Sequence, residues 1–345
     1  MKTKQFSGEN FLSLKIPMYV LLLSVAGVIS VSYLIVNFSH KAISKPIVTL
    51  EKSTNPPPVH VIRQNDYELI KPLLLGDLGD EDVSLFPLKE EIKKYVDQQK
   101  SAGIITSASV YLRKLNNGYW ISVNEGEEYS PGSLMKVPTM ITYLKDAERN
   151  PELLNKEILF KKHFGGIPEQ TLTGKTLVEG KTYTVKELIY YMIVYSDNDA
   201  AALLNQNVNF ATMQKLFADI QLPVPNSGQP DYLVNSSDYS RFFRILYNGS
   251  YLNWDMSQYA LNLLTQSAFK SGLVKDIDLN VKVAHKFGER NNNGEQQLHE
   301  FGIVYLDNSP YLIGVMTKGA DHTLLPNVIS GVSDIIYTGM KKNNQ

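Results

Sequence analysis

The chain has no cysteine among its 345 residues, so disulfide bonds and thiol chemistry are excluded. No two of its six histidines have zinc-ligand spacing, and it contains no glycine-rich phosphate-binding loop. Its 34 basic and 35 acidic residues balance, so no net field favours nucleic acid as a partner. We therefore expect a protein that works without a cofactor or a metal and does not bind nucleic acid.

The most apolar part of the chain lies near its N-terminus. Residues 16–39 carry no charged side chain, and this length is enough to span a bilayer. We predict a cytoplasmic tail at 1–15, a transmembrane anchor at 16–39, an extended linker at 40–65 and one folded domain at 66–345. More lysines precede the apolar run than follow it, which favours an inside N-terminus and an outside domain. A cleaved signal peptide is the alternative.

A serine and a lysine stand three residues apart, at Ser133 and Lys136, where an amphipathic stripe begins. Apolar residues from Val137 to Leu144 recur at i, i+3, i+4 and i+7, which predicts a helix. Three residues apart on a helix, the two side chains share a face. A serine hydroxyl needs a neighbouring base to become a nucleophile, and the start of a helix favours developing negative charge.

Two further short motifs follow in the chain. Ser196-Asp197-Asn198 comes after a predicted helix that opens with a capping box, Thr184 to Glu187. Lys286-Phe287-Gly288 closes a predicted strand, Val281 to Phe287, and its glycine permits close backbone approach.

In this order, the three motifs resemble the S-x-x-K, S-D-N and K-T-G set of class A β-lactamases and penicillin-binding proteins. The resemblance extends from about residue 87 to residue 339. It implies that Ser133 is the nucleophile and Lys136 its base. It further implies that Ser196 passes a proton to the leaving nitrogen and that Asn198 holds a substrate amide.

The resemblance also assigns roles around the third motif. Lys286 would supply positive potential. The backbone N–H of Glu289, just after Gly288, would complete an oxyanion hole with that of Ser133. Phe287 departs from the pattern, because the family has at that place a hydroxyl that helps to hold the substrate carboxylate.

A second departure concerns the glutamate with which hydrolytic members of the family activate the deacylating water. The sequence has no glutamate between Glu187 and Glu289. The nearest imitation of the family's E-x-x-L-N pattern begins at Asp231 and ends at Asn235. Asp231 is therefore the candidate deacylation base, and an ordinary loop aspartate is the alternative.

The arrangement of predicted elements indicates an α/β fold of the α+β type. Strands are predicted at Ser107–Leu115, Tyr119–Asn124, Phe301–Leu306 and Tyr311–Thr317, and a closing helix at Leu325–Met340. Residues 133–266 are mostly helical in pattern. The resemblance implies an antiparallel sheet built from both chain ends and covered by helices, with an inserted all-helical lobe. One N-terminal transmembrane helix would precede this domain.

The residues and the resemblance together predict a membrane-anchored serine hydrolase on the outer side of the bacterial cytoplasmic membrane. We expect Ser133 to be acylated by β-lactams or related amides and the acyl group to be released slowly. Its partners would be a β-lactam or peptidoglycan-peptide substrate and the lipid bilayer. The alternatives are a penicillin-binding D-Ala-D-Ala carboxypeptidase and a receptor for wall fragments or β-lactams that does not hydrolyse them.

Overall fold

The computed structural model describes residues 59–66, 69–165, 174–225, 232–292 and 294–342. The predicted anchor at 16–39 lies outside these ranges. Within them, no helix combines the length and the apolar character needed to cross a bilayer.

A five-stranded antiparallel sheet forms the centre of the domain. Its strands are β3 (Ser107–Lys114), β4 (Trp120–Val123), β7 (Val283–Asn292), β8 (Glu295–Val304) and β9 (Tyr311–Gly319). The strand order is β4-β3-β9-β8-β7, so a strand from the first half of the chain pairs with the last strand. The prediction of an antiparallel sheet built from both chain ends is confirmed.

Helices cover both faces of the sheet, as predicted. They are α1 (Phe86–Ser101), α2 (Lys136–Ala147), α3 (Val185–Val194), α4 (Asn198–Asn205), α5 (Phe210–Asp219), α6 (Ser236–Tyr247), α7 (Trp254–Thr265) and α8 (Leu325–Lys342). Buried side chains of α1 and α8 form one apolar layer with the sheet. The helices from α2 to α7 form the other layer, in which the ring centroids of Tyr239 and Phe301 lie 4.5 Å apart.

Two predictions about the fold need correction. The inserted lobe is not all-helical, because β5 (Glu157–Leu159) and β6 (Thr182–Thr184) form a small antiparallel sheet within it. Each of these strands has three residues, too few to display an alternating pattern. The predicted linker at 40–65 ends in a strand, β1 (Val59–Arg63), which pairs with β2 (Leu73–Leu78).

The hairpin of β1 and β2 is attached to the domain through a partly buried carboxylate. Asp77 Oδ1 lies 3.0 Å from Arg113 Nη1 and 2.7 Å from Arg244 Nη2. Both arginine side chains are buried and the Asp77 side chain is 25% exposed, so this ion pair is only partly screened by water. Because these residues are far apart in the chain, no short sequence pattern predicts their contact.

A buried polar pair lies within the apolar layer under β7. His285 Nδ1 and Glu300 Oε1 are 2.6 Å apart, and both side chains are fully buried. Glu300 Oε2 also accepts a hydrogen bond of 2.8 Å from the backbone N–H of Leu273. Glu300 therefore connects the strand that carries Lys286 with the segment that precedes it.

Replacing Glu300 by alanine should lower the free energy of unfolding by about 3 kcal/mol, because it leaves buried polar partners unpaired. Urea denaturation monitored by circular dichroism measures the change. Glu157→Ala is the matched control, since Glu157 is exposed and its loss should cost less than about 0.5 kcal/mol. Equal stability of the two variants would contradict a structural role for the buried pair.

Candidate active site

The predicted nucleophile lies in a short 3₁₀ helix, Gly132–Met135, which continues directly into α2. The sequence predicts one helix here, and its first turn is wound more tightly than an α-helix. Gly132 has φ = 53°, and a Cβ at this position would lie 2.9 Å from the carbonyl carbon of Glu289. Ser133 is thereby positioned next to the strand β7.

Close backbone contact between β7 and this turn depends on a second glycine. A Cβ on Gly288 would lie 2.7 Å from the backbone nitrogen of Leu134, a distance that side chains do not tolerate. The close approach predicted for Gly288 is therefore present. It brings the backbone of Glu289 beside the turn that carries Ser133.

The segment before the nucleophile is held by β8. The N–H of Ser130 donates to Gln297 Oε1 at 3.1 Å, and His299 Nε2 donates to the Ser130 carbonyl at 3.0 Å. The other ring nitrogen of His299 accepts a hydrogen bond from the N–H of Thr317 at 3.2 Å, which assigns the proton to Nε2. Burial lowers the pKa of His299 to about 3, so the ring is neutral and this arrangement does not change near neutral pH.

The second motif forms the junction between α3 and α4. Ser196 has φ = 57°, a left-handed conformation that is unusual for a residue with a side chain. Asp197 caps α4 by accepting a hydrogen bond of 2.6 Å from the N–H of Ala200. Burial raises the pKa of the Asp197 carboxyl. The capping box predicted at Thr184 and Glu187 is confirmed at the start of α3.

Lys136 reaches from α2 to the second motif. Its Nζ donates to the carbonyl of Ser196, to Ser196 Oγ at 3.1 Å and to Asn198 Oδ1 at 2.6 Å. Burial lowers the pKa of the Lys136 ammonium to about 7, while the charges of Asp197 and Glu289 oppose this shift. A substantial fraction of this amine is therefore unprotonated at neutral pH and can accept a proton.

Lys286 approaches the same hydroxyl from the sheet. Its Nζ donates to Ser196 Oγ at 2.8 Å and to the carbonyl of Phe287 at 2.9 Å. Burial lowers the pKa of Lys286 well below its usual value, and the neighbouring charge of Lys136 lowers it further. The two lysines and Ser196 thus form one buried proton-sharing cluster.

The cleft beside this cluster has a volume of about 570 Å³. Its walls are Gly132, Ser133, Met135, Lys136, Thr139, Asn198, Ala201, Ala202, Asn205, Glu289, Arg290, Asn291, Gln296 and His322. Ser196 and Lys286 are fully buried and lie outside this lining. Among the residues whose placement is described, no three His, Asp or Glu side chains group as metal ligands.

Phe287 is not part of the cleft wall. Its ring is buried among apolar side chains, and its centroid lies 4.6 Å from that of Phe269 and 4.2 Å from Lys286 Nζ. We predicted Phe287 as a substrate-binding residue, but the structure does not bring its side chain to the cleft.

The third motif also does not end its strand. Where the sequence predicts Val281–Phe287, β7 runs from Val283 to Asn292 and pairs with β8 as far as Asn292 and Glu295. The residues from Glu289 onward are polar and lack the apolar alternation that predicts a strand. Backbone pairing with β8 nevertheless holds them in the sheet.

The contact between the side chains of Glu289 and His322 was missed in the sequence. The side chain of Glu289, not only its N–H, lines the cleft, and its Oε2 lies 3.2 Å from Nε2 of His322. His322 follows β9, 33 positions after Glu289, and no spacing rule connects the two. Arg290, the next residue of β7, lines the cleft with an exposed side chain.

The candidate base Asp231 lies outside the described residues. The part of its motif that is described serves the fold: Val234 pairs with Tyr129 through two backbone hydrogen bonds of 3.0 Å. Asn235 caps α6 by accepting a 2.8 Å hydrogen bond from the N–H of Asp238.

Known proteins share this architecture. The chain is similar to PBP-A, at 20% identity over 75% of this chain and 97% of that one, with a TM-score of 0.63. It is also similar to a β-lactamase from Chitinophaga pinensis, at 18% identity over 73% of this chain and 99% of that one (TM-score 0.62). The extended-spectrum β-lactamase TLA-3 aligns at 17% identity over 74% of this chain and 98% of that one (TM-score 0.64).

These similarities to solved structures show a common fold. Among curated proteins, no sequence matches the chain. The model of the β-lactamase enzyme family matches residues 87–340, nearly the interval over which the three motifs predicted the resemblance. The chain therefore belongs to the β-lactamase enzyme family and has its serine hydrolase fold.

Proposed function

We propose that this protein is a serine acyl-transfer enzyme in which Ser133 is acylated by β-lactams or related amides. The observation that carries the proposal is the shared hydroxyl of Ser196, which lies 3.1 Å from Lys136 Nζ and 2.8 Å from Lys286 Nζ. Burial holds the pKa of both lysines below their usual value, which makes a free amine available as a base. A solved mutant of PBP-A forms an acyl-enzyme complex with penicillin G, which supports the same chemistry here.

The proposed step transfers one proton in a cycle. Ser133 Oγ bonds to the carbonyl carbon while its proton passes to the free amine of Lys136. The carbonyl C–N bond then breaks, and the leaving nitrogen takes a proton from Ser196 Oγ. Ser196 recovers a proton from the Lys136 ammonium, which returns to the free amine. The backbone N–H groups of Ser133 and Glu289 are the proposed donors to the developing oxyanion.

Intact-mass spectrometry of the soluble domain, followed over time after addition of penicillin G, tests the proposal. We expect one added penicillin mass per chain, formed slowly and released more slowly. Rapid turnover would identify a β-lactamase, and release of D-Ala from a D-Ala-D-Ala peptide would identify the carboxypeptidase. The absence of any adduct at all times would contradict acylation.

The rate of acylation should fall as the pH decreases through about 7, the pKa of Lys136. Only the free amine accepts the proton of Ser133, so the rate should drop about tenfold per pH unit below that value. Adduct formation measured between about pH 5.5 and 8.5 gives the profile. Glu289→Gln should move the midpoint to lower pH, because the charge of Glu289 raises the pKa of Lys136. A flat profile would rule out Lys136 as the base.

We further propose that the domain is anchored to the bacterial cytoplasmic membrane by residues 16–39 and faces outward. The uncharged length of this segment and the lysines before it support this topology. The substrates of the family lie on that side of the membrane, which supports the same orientation.

A further inference from the structure

One acidic side chain faces the cleft next to the predicted nucleophile. Of the described residues that form the cleft wall, Glu289 is the one with a carboxylate. Gly132 and Ser133 line the same cleft, and the backbone of Glu289 is in close contact with Gly132. A group bound to Ser133 therefore lies near a negative charge.

The carboxylate of Glu289 is held in place. Its side chain is 13% exposed, and Oε2 lies 3.2 Å from Nε2 of His322, whose side chain is 12% exposed. The backbone of Glu289 is fixed by its pairing with Leu298 in β8. The carboxylate is therefore largely enclosed at the wall of the cleft.

The two lysines and Arg290 each donate hydrogen bonds to other groups. Lys136 and Lys286 are buried and donate to Ser196, and they also bind Asn198 and the carbonyl of Phe287 respectively. The exposed side chain of Arg290 donates from Nε to Asn292 Oδ1 at 3.2 Å. The charge of Glu289 acts on both lysines, since it raises the pKa of each against the effect of burial. Its field therefore reaches the reacting centre.

We propose that Glu289 is a specificity-determining residue that disfavours acyl donors with a carboxylate beside the reacting amide and favours donors that are neutral or cationic there. The inference rests on the proposed function, because it concerns the acyl donor of Ser133. Two like charges brought together in a partly desolvated cleft repel each other strongly. The substrate class that fits is an internal amide of a peptide, whose neighbouring carboxyl is already part of another amide, rather than a terminal D-amino acid with a free carboxylate.

Two β-lactams that differ only in the charge of one carboxyl group measure the effect of the ligand carboxylate. Penicillin G carries a carboxylate, and its methyl ester is neutral but has the same reactive ring. We expect the wild-type protein to form the adduct about tenfold faster with the ester than with the acid, which corresponds to about 1.4 kcal/mol. Glu289→Gln should reduce this ratio several-fold by accelerating the acid. Changes in the basicity of Lys136 affect both compounds equally and cancel in the ratio.

Glu157→Gln is the control variant, because it removes the same charge from an exposed strand residue outside the cleft lining. Its ratio should equal that of the wild type. A second readout needs no variant: raising the salt concentration from about 0.1 M to 1 M shortens the screening length from about 10 Å to 3 Å. In the wild type, the ratio of the ester rate to the acid rate should then decrease.

The role of Glu289 and the acylation of Ser133 can be contradicted separately. An ester-to-acid ratio that is the same in wild type and Glu289→Gln, and insensitive to salt, would overturn the role of Glu289 and leave acylation of Ser133 intact. No adduct with either compound would overturn the proposed function and this inference with it.

Discussion

Replacing Ser133 by alanine should abolish covalent labelling by a fluorescent penicillin. Ser133 lines the cleft in the 3₁₀ helix before α2, and Lys136, whose pKa burial lowers to about 7, lines the same cleft. Without its hydroxyl, no oxygen nucleophile remains at this place, so we expect loss of the full labelling signal rather than a slower rate. Labelling in gels and intact mass measure the result, and circular dichroism should be unchanged.

Ser130→Ala is the matched control for this experiment. Ser130 lies three residues earlier, is buried, and is held through its backbone N–H and carbonyl by Gln297 and His299. Removing its hydroxyl should leave those hydrogen bonds and the labelling in place. Labelling that survives in Ser133→Ala would show that another residue is acylated. Labelling that disappears equally in Ser130→Ala would mean that its loss does not identify Ser133 as the nucleophile.

The acyl-enzyme should persist long after it forms. Release needs a base that activates water, and the sequence has no glutamate between Glu187 and Glu289. Among the described residues, the polar partners of Lys136 Nζ are oxygens of Ser196 and Asn198. A positioned general base contributes about 10²- to 10⁴-fold to the step it serves, so deacylation should be slowed by a factor of this order. Removal of free penicillin, followed by intact mass over hours, measures the lifetime.

Asp231 remains the proposed substitute base. If it serves in this way, Asp231→Asn should lengthen the life of the adduct and leave its rate of formation nearly unchanged. Asp238→Asn is a useful comparison, because Asp238 lies in the first turn of α6, where its carboxylate accepts a 2.9 Å hydrogen bond from Asn235 Nδ2. Rapid multiple turnover in the wild type and in Asp231→Asn would contradict the argument, since another residue would then activate the water.

The parts of this molecule that sequence reasoning predicted are those with local patterns. The capping box at Thr184 and the hairpin before Trp120 depend on residues close together in the chain. The close approach at Gly288 was predicted from the motif that contains it. Apolar periodicity likewise predicted the helix that carries Lys136. In each case a short stretch of sequence contains both the cause and the consequence.

The parts that were missed depend on contacts between distant residues. The pairing of Glu289 with His322, and the support of Ser130 by His299, exist only once strands of the sheet are aligned. The polar end of β7 is a strand because β8 lies beside it, which no pattern within residues 289–292 indicates. Phe287 was predicted at the cleft from its motif position, whereas its ring is buried against Phe269 and lies outside the cleft lining.

The pairing of β3 with β9 has a consequence for how the protein is made. Ser107 lies opposite Lys318, so the sheet closes only when segments about 200 residues apart have met. Contacts of such long range slow folding, because chain entropy is lost before they are formed. A nascent chain that ends before Val283 contains the nucleophile and its helices but lacks the strand that carries Lys286 and Glu289. If Ser133 is acylated as proposed, the adduct should form only on completely folded molecules, and it would then count them during refolding.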